Sequence, residues 1–73
     1  MWAWTNVNDA MPDRGVRVLL YGEYETYYGS EIRLKRGITT GKRDEYEDRW
    51  RSDAFIGFRV IAWMPLPNPP EGM

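Results

Sequence analysis

Val16-Arg17-Val18-Leu19-Leu20-Tyr21 is the stretch from which the architecture unfolds. In an extended chain, Val16, Val18 and Leu20 share one side and Arg17, Leu19 and Tyr21 the other. Both sides turn apolar toward Tyr21, which suits a central strand ending at Gly22. Upstream, Pro12-Asp13-Arg14-Gly15 reads as a β-turn, with Pro and Gly as its turn-forming residues. Trp2, Trp4 and Val7 open the chain as a short extended segment whose indoles lie on the core. Asn8 and Asp9 are placed to cap a brief turn through Ala10 and Met11.

Downstream, Glu23 to Ser30 sets Tyr24, Tyr27 and Tyr28 among acids. The segment is short and β-prone, so an irregular or hairpin loop is preferred over a helical turn. Ile32, Leu34 and Ile38 alternate with charge from Glu31 to Thr40, with Gly37 a candidate bulge and Gly41 a turn. Asp44 to Asp48 is an acidic, exposed loop. Trp50, between Arg49 and Arg51, sits on a short strand broken by Ser52-Asp53. Phe55 to Met64 is the last apolar run. Pro65-Leu66-Pro67-Asn68-Pro69-Pro70 cannot enter a sheet interior and reads as an extended strap. The expectation is one small domain over residues 1–73, mostly β, with a small α+β arrangement as the variant. Its body is a three- to four-stranded antiparallel sheet, with the tryptophans and the proline-rich C-terminal strap packed over it.

The 73 residues hold four Trp and five Tyr, which supply much of what so small a core can bury. There is no cysteine, so disulfides, thiolate metal sites and thiol nucleophiles are excluded. There is no histidine, which removes the commonest general base, metal ligand and physiological-pH switch. A net charge of −1 creates no global field toward nucleic acid. No apolar run approaches the roughly 20 residues of a membrane span. Met1 to Ala10 lacks the basic start and continuous apolar stretch of a signal peptide, so a cytoplasmic protein is expected.

Two motifs at the ends carry a family likeness. The first is Trp4-x-x-Val7-x-Asp9-x-Met11-Pro12, followed by Gly15-x-x-Val18-Leu19-Leu20-Tyr21. The second is Ala62-Trp63-Met64-Pro65-Leu66-Pro67-x-Pro69-Pro70. Together they resemble the small phage and prophage proteins of domain-of-unknown-function family 551. The middle, from about Gly22 to Asp53, resembles the family only loosely. The family usually carries a His before the Trp of the ending, where this chain has Ala62. The resemblance implies a phage-associated origin and a location in the cytoplasm of the bacterial host. It implies no activity.

Catalysis, cofactors and metal binding find no support in the residues. Ser30 and Ser52 lack a His base. About 70 residues rarely enclose the cleft that a carboxylate pair needs to separate its pKa values. Asp44-Glu45-Tyr46-Glu47-Asp48 has neither the Gly nor the spacing of a hard-cation loop. Trp4, Val7, Trp63, Met64 and Leu66 read as core rather than a ligand clamp, and Pro65 to Pro70 as a strap rather than an SH3-type ligand. Arg33, Lys35, Arg36, Lys42 and Arg43, against the single acid Glu31, form a basic stretch. That stretch either pairs with the acids that follow it, serves protein recognition, or contacts nucleic acid.

Tyrosine among acids suits protein recognition, because it adds contact area at small entropic cost. The candidate contact residues are therefore Glu23, Tyr24, Glu25, Tyr27 and Tyr28, with Asp44, Glu45, Tyr46, Glu47 and Asp48. The leading expectation is a phage-encoded, non-catalytic binding protein that modulates or inhibits a host protein, in the manner of an anti-defence (anti-CRISPR-like) inhibitor. One alternative is a nucleic-acid-associated accessory protein using the basic stretch. Another is a structural or assembly protein that self-associates through a sheet edge.

Overall fold

The computed structural model describes residues 3–55 and 57–67. The described residues form one antiparallel sheet of five strands: β1 (Thr5–Asn6), β2 (Val18–Tyr28), β3 (Glu31–Arg43), β4 (Trp50–Ser52) and β5 (Arg59–Pro65). Their order across the sheet is β1-β5-β2-β3-β4. The mostly β, antiparallel reading holds, and the short edge strands β1 and β4 bring the count to five. Among the described residues no helix is long and apolar enough to cross a membrane.

The strand opened by Val18 does not stop at Gly22; it continues to Tyr28. Tyr28 pairs with Glu31, leaving Gly29-Ser30 as a two-residue turn. Gly29 has φ 64°, which fits the first central position of a type II′ hairpin turn. The segment from Glu23 to Ser30 is thus half of a long hairpin. Gly22 faces Gly37 across it, so Gly37 is a regular ladder position. The irregularity lies on the other flank, where the β2–β5 register shifts between Tyr21 and Gly22 and leaves Ile61 as the extra residue. A Cβ on Gly22 would sit inside the van der Waals envelope of the Arg59 carbonyl, so glycine permits the close approach at the bulge rather than ending a strand.

The main core lies on one face of the sheet, while Ala62 and Met64, paired with Tyr21 and Leu19, are buried on the other. Val18, Leu20 and Val60 are buried, and Val7, Trp50, Phe58 and Trp63 pack against them. Leu20 is fully enclosed, at 0% exposure. The sequence reading of Trp63 as core is thereby met in part: its ring packs here while its Nε1 donates to the Ala10 carbonyl (2.9 Å). Trp4 instead lies on the opposite face against Tyr21, with ring centroids 5.9 Å apart, and stays exposed.

The connections differ in detail from expectation. The Val16 amide donates to the Asp13 carbonyl, so the turn spans 13–16 with Gly15 third, at φ 79°. That is the position where a type II turn requires positive φ. Asn6, rather than Asn8 or Asp9, organises the N-terminal turn. Its side-chain oxygen accepts the Asn8 amide (2.8 Å), and its carbonyl accepts the amides of Asp9 and Ala10. Pro65 closes β5, and Leu66 and Pro67 are exposed beyond it. Trp2 and the remainder of the proline-rich stretch, 68–70, lie outside the described residues.

Candidate functional site

The β2–β3 hairpin outruns the rest of the sheet. β5 pairs with β2 only from Val18 to Glu23, and β4 pairs with β3 only from Gly41 to Arg43. The distal half therefore projects as a two-stranded arm. The radius of gyration is 13.9 Å, against about 11 Å for a compact chain of this length. The longest dimension is 49 Å.

One face of the arm is apolar and uncovered. Tyr27 opposes Ile32, Glu25 opposes Leu34, and Tyr21 opposes Ile38, all on the side away from the core. Exposure is 67% for Tyr27, 58% for Ile32, 65% for Leu34 and 57% for Ile38. β-branched and aromatic side chains favour the strand conformation, but nothing among the described residues covers these four. Within the stripe, Glu23 forms ion pairs with Arg59 and with Arg36 (3.9 Å to Arg36). The Tyr27 hydroxyl donates to Glu25 (2.9 Å), and that bond pushes the phenol's pKa up.

The other face carries an aromatic stack. Tyr24 lies on Phe55 with centroids 4.1 Å apart and planes within 10°, and Phe55 continues onto Phe58 at 5.5 Å. These rings fill the space left by Gly37, whose missing Cβ would touch Tyr24 and Phe55. Phe55 holds φ 65°, a backbone region costly for a bulky residue. Toward the tip, Tyr28 is flanked by Arg33 at 4.9 Å and Lys35 at 5.4 Å from its ring centre. Lys35 Nζ donates to the Tyr28 hydroxyl (2.9 Å), which lowers that phenol's pKa. An open cleft of about 550 Å³ runs between Tyr24, Thr26, Tyr27, Phe55 and Gly57.

The second acidic stretch sits at the far end of the hairpin. Ten residue steps separate Val18 from Tyr28, about 33 Å of strand, and the 44–48 loop adjoins the Val18 end, where Gly15 bonds Arg43. The two acid-tyrosine stretches therefore do not form one surface. Asp44 is buried and works for its own loop. Its carboxylate takes the Arg51 guanidinium and accepts the amides of Tyr46 (2.9 Å) and Glu47 (2.7 Å). Arg51 first, then those amides, hold its carboxyl well below the usual carboxylate range. Arg14 donates to the carbonyls of Asp44 and Glu47 and locks the loop further. Glu45 pairs with Lys42, Glu47 pairs with Arg49, and Asp48 is exposed. Tyr46 is left 91% exposed.

The basic stretch is likewise divided. Arg33, Lys35 and Arg43 point to the core side of β3, and Arg36 and Lys42 to the opposite side, as the uninterrupted register requires. Arg33 pairs with Glu31, Arg36 with Glu23, and Lys42 with Glu45. Arg43 donates to the Pro12 carbonyl (3.1 Å). Only Lys42 meets the acidic loop, so the two segments do not neutralise each other wholesale. No continuous cationic groove results.

Sequence reasoning found Tyr27 but missed Ile32, Leu34 and Ile38 as surface residues, and missed the stacking of Phe55 on Tyr24. Alternation put the three aliphatics on one face without saying whether that face is covered. The available signal was the ionic company they keep, with Arg36 inside the same alternating set.

A family model described as "Protein of unknown function (DUF551)" matches residues 3–71. A Salmonella phage P22 protein, "Uncharacterized 7.8 kDa protein in ral-gp17 intergenic region", is 26% identical over 68 residues, covering 93% of this chain and 96% of its own. No solved structure matches.

Proposed function

The chain belongs to the phage-associated DUF551 family, and from that premise we propose that it is a binding protein that engages and modulates a host protein through the β2–β3 arm. The observation that carries this is the exposed stripe of Tyr27, Ile32, Leu34 and Ile38. Apolar side chains gathered on one uncovered face of a projecting hairpin mark an interaction surface. Protein is favoured over nucleic acid because the cations of β3 are split between two faces and largely paired. Inhibition of a host defence protein is the finer form of the reading; phage association and a small scaffold without histidine or cysteine support it.

The test is affinity capture from bacterial lysate by the purified chain, with and without nuclease, read by mass spectrometry. A stoichiometric host protein that survives nuclease is the expected result. Enrichment that vanishes with nuclease transfers the assignment to nucleic acid and to Arg33 and Lys35.

A further inference from the structure

The outer edge of β3 is open from Glu31 to Thr39, because the β4 side is bonded only from Thr40 onward. The neighbouring bonds reveal which main-chain groups face outward there. The Thr40 carbonyl accepts the Asp53 amide, and the Asp44 amide donates to the Arg49 carbonyl, both on the β4 side. A residue's N–H and C=O point to the same flank of an antiparallel strand, and the flank alternates. The even-numbered residues Ile32, Leu34, Arg36 and Ile38 therefore present their amides and carbonyls to the open edge. They span about 20 Å.

Charge selects the occupant. Between Glu31 and Ile38 the edge carries Arg33, Lys35 and Arg36 against one acid. A second copy of β3 is disfavoured in the registers that overlap most of the open edge. An antiparallel register centred on Arg33, Leu34, Lys35 or Arg36 places Arg33 against Arg33, Arg33 against Lys35, Lys35 against Lys35, or Arg36 against Arg36, and like charges directly opposite destabilise a pair. Lys35 forms no ion pair among the described residues; its partner is the Tyr28 hydroxyl. An acidic side chain opposite Lys35 or Arg33 satisfies this face. An apolar side chain opposite Ile32, Leu34 or Ile38 covers the other.

We propose that β3 accepts a sixth strand from the partner protein: an extended segment that alternates acidic and apolar residues, bonded to the main chain of Ile32, Leu34, Arg36 and Ile38. This rests on the arm being a protein-binding surface, and it adds the partner's conformation and pattern. Strand addition of this kind takes affinity from main-chain bonds and specificity from alternate side chains.

The probe is a capped nine-residue peptide of alternating Val and Glu, compared with one of alternating Val and Lys. Binding is followed by amide chemical shifts and hydrogen exchange. The Val-Glu peptide is expected to slow exchange at the amides of residues 32, 34, 36 and 38 while leaving the odd-numbered amides, already bonded to β2, unchanged. The double variant Arg33→Glu, Lys35→Glu is expected to invert the preference between the two peptides by tenfold or more. Failure of the Val-Glu peptide to bind, or protection at residues 24–28 instead, overturns the sixth strand. If wild-type chain captures a host protein that the charge-reversed variant holds equally well, strand addition fails and the arm reading survives. If the Val-Glu peptide binds as described and no host protein is captured, the reverse holds.

Discussion

The ring of Phe55 lies flat on the ring of Tyr24, 4.1 Å between centroids, and so ties the loop after β4 to the base of the projecting arm. The stack occupies the space above Gly37, and a costly positive φ at Phe55 is held in place for it. An aromatic pair contributes about 0.5–1.5 kcal/mol beyond its buried area. Phe55→Ala should therefore destabilise the fold by about 1–2 kcal/mol once the lost apolar area is added. Phe55→Tyr, which keeps the ring, should cost far less. Urea denaturation of Phe55→Ala, Tyr24→Ala and the double variant checks this. Strict additivity of the two single effects would show that the stack holds nothing.

The two apolar faces should respond oppositely to substitution. Leu20 is fully enclosed, and Leu20→Ala should cost about 2–5 kcal/mol. That is a large share of the roughly 4–11 kcal/mol available to a chain of this length. Leu34 is 65% exposed, and Leu34→Ser should stay within about 0.5 kcal/mol of wild type. Thermal melts of both variants decide the matter. A large loss at Leu34 would mean that the stripe is covered in the folded chain.

Acid should loosen the end of the hairpin that carries the 44–48 loop. Asp44 is held below its ordinary range by Arg51 and two amides, and Asp53 is lowered by Thr40 and then Arg17. A carboxylate whose folded pKa is depressed stabilises the fold above its unfolded value, about 3.9. That stabilisation fades as pH falls from there through the folded value. Melting temperature should thus fall progressively below about pH 4. Asp44→Asn should be less stable at neutral pH and show a flatter acid limb. An acid limb identical to wild type in Asp44→Asn would remove Asp44 as its source.

The turn makes a fourth test. Gly29 combines φ 64° with open space around its missing Cβ. Gly29→Val should shorten the ordered arm and cost about 1–2 kcal/mol from backbone strain alone, whereas Gly29→Asn, which tolerates positive φ, should be close to neutral. Amide exchange at residues 25–34 reports the difference. Equal protection in both variants would argue against a positive φ at the tip.

Much of the sheet was legible. Alternation located the first half of β2 and the β3 apolar set, and apolar, β-prone composition located Trp50 on its short strand and the run of β5. Two things resisted for physical reasons. Tyr24 and Tyr28 are four apart, a spacing that puts them on one face in a helix and in a strand alike, so the period was ambiguous. Gly22 looks like a stop, yet its lack of a side chain lets the Arg59 carbonyl approach at the bulge, a tertiary fact. The exposure of Ile32, Leu34 and Ile38 was hidden for a related reason. Which face of β3 is covered depends on where β5 and the 53–58 loop land, and local alternation carries no record of that. Asp44 looked like surface until its three donors were visible.

The most direct test of the arm as the binding surface is capture of the host protein by a triple variant, Ile32→Ser, Leu34→Ser and Ile38→Ser, with its thermal melt recorded alongside. All three side chains are more than half exposed, so the melt should stay close to wild type. We expect a folded variant that no longer retains the host protein. A folded variant that retains it as well as wild type does would place the binding surface elsewhere on the molecule.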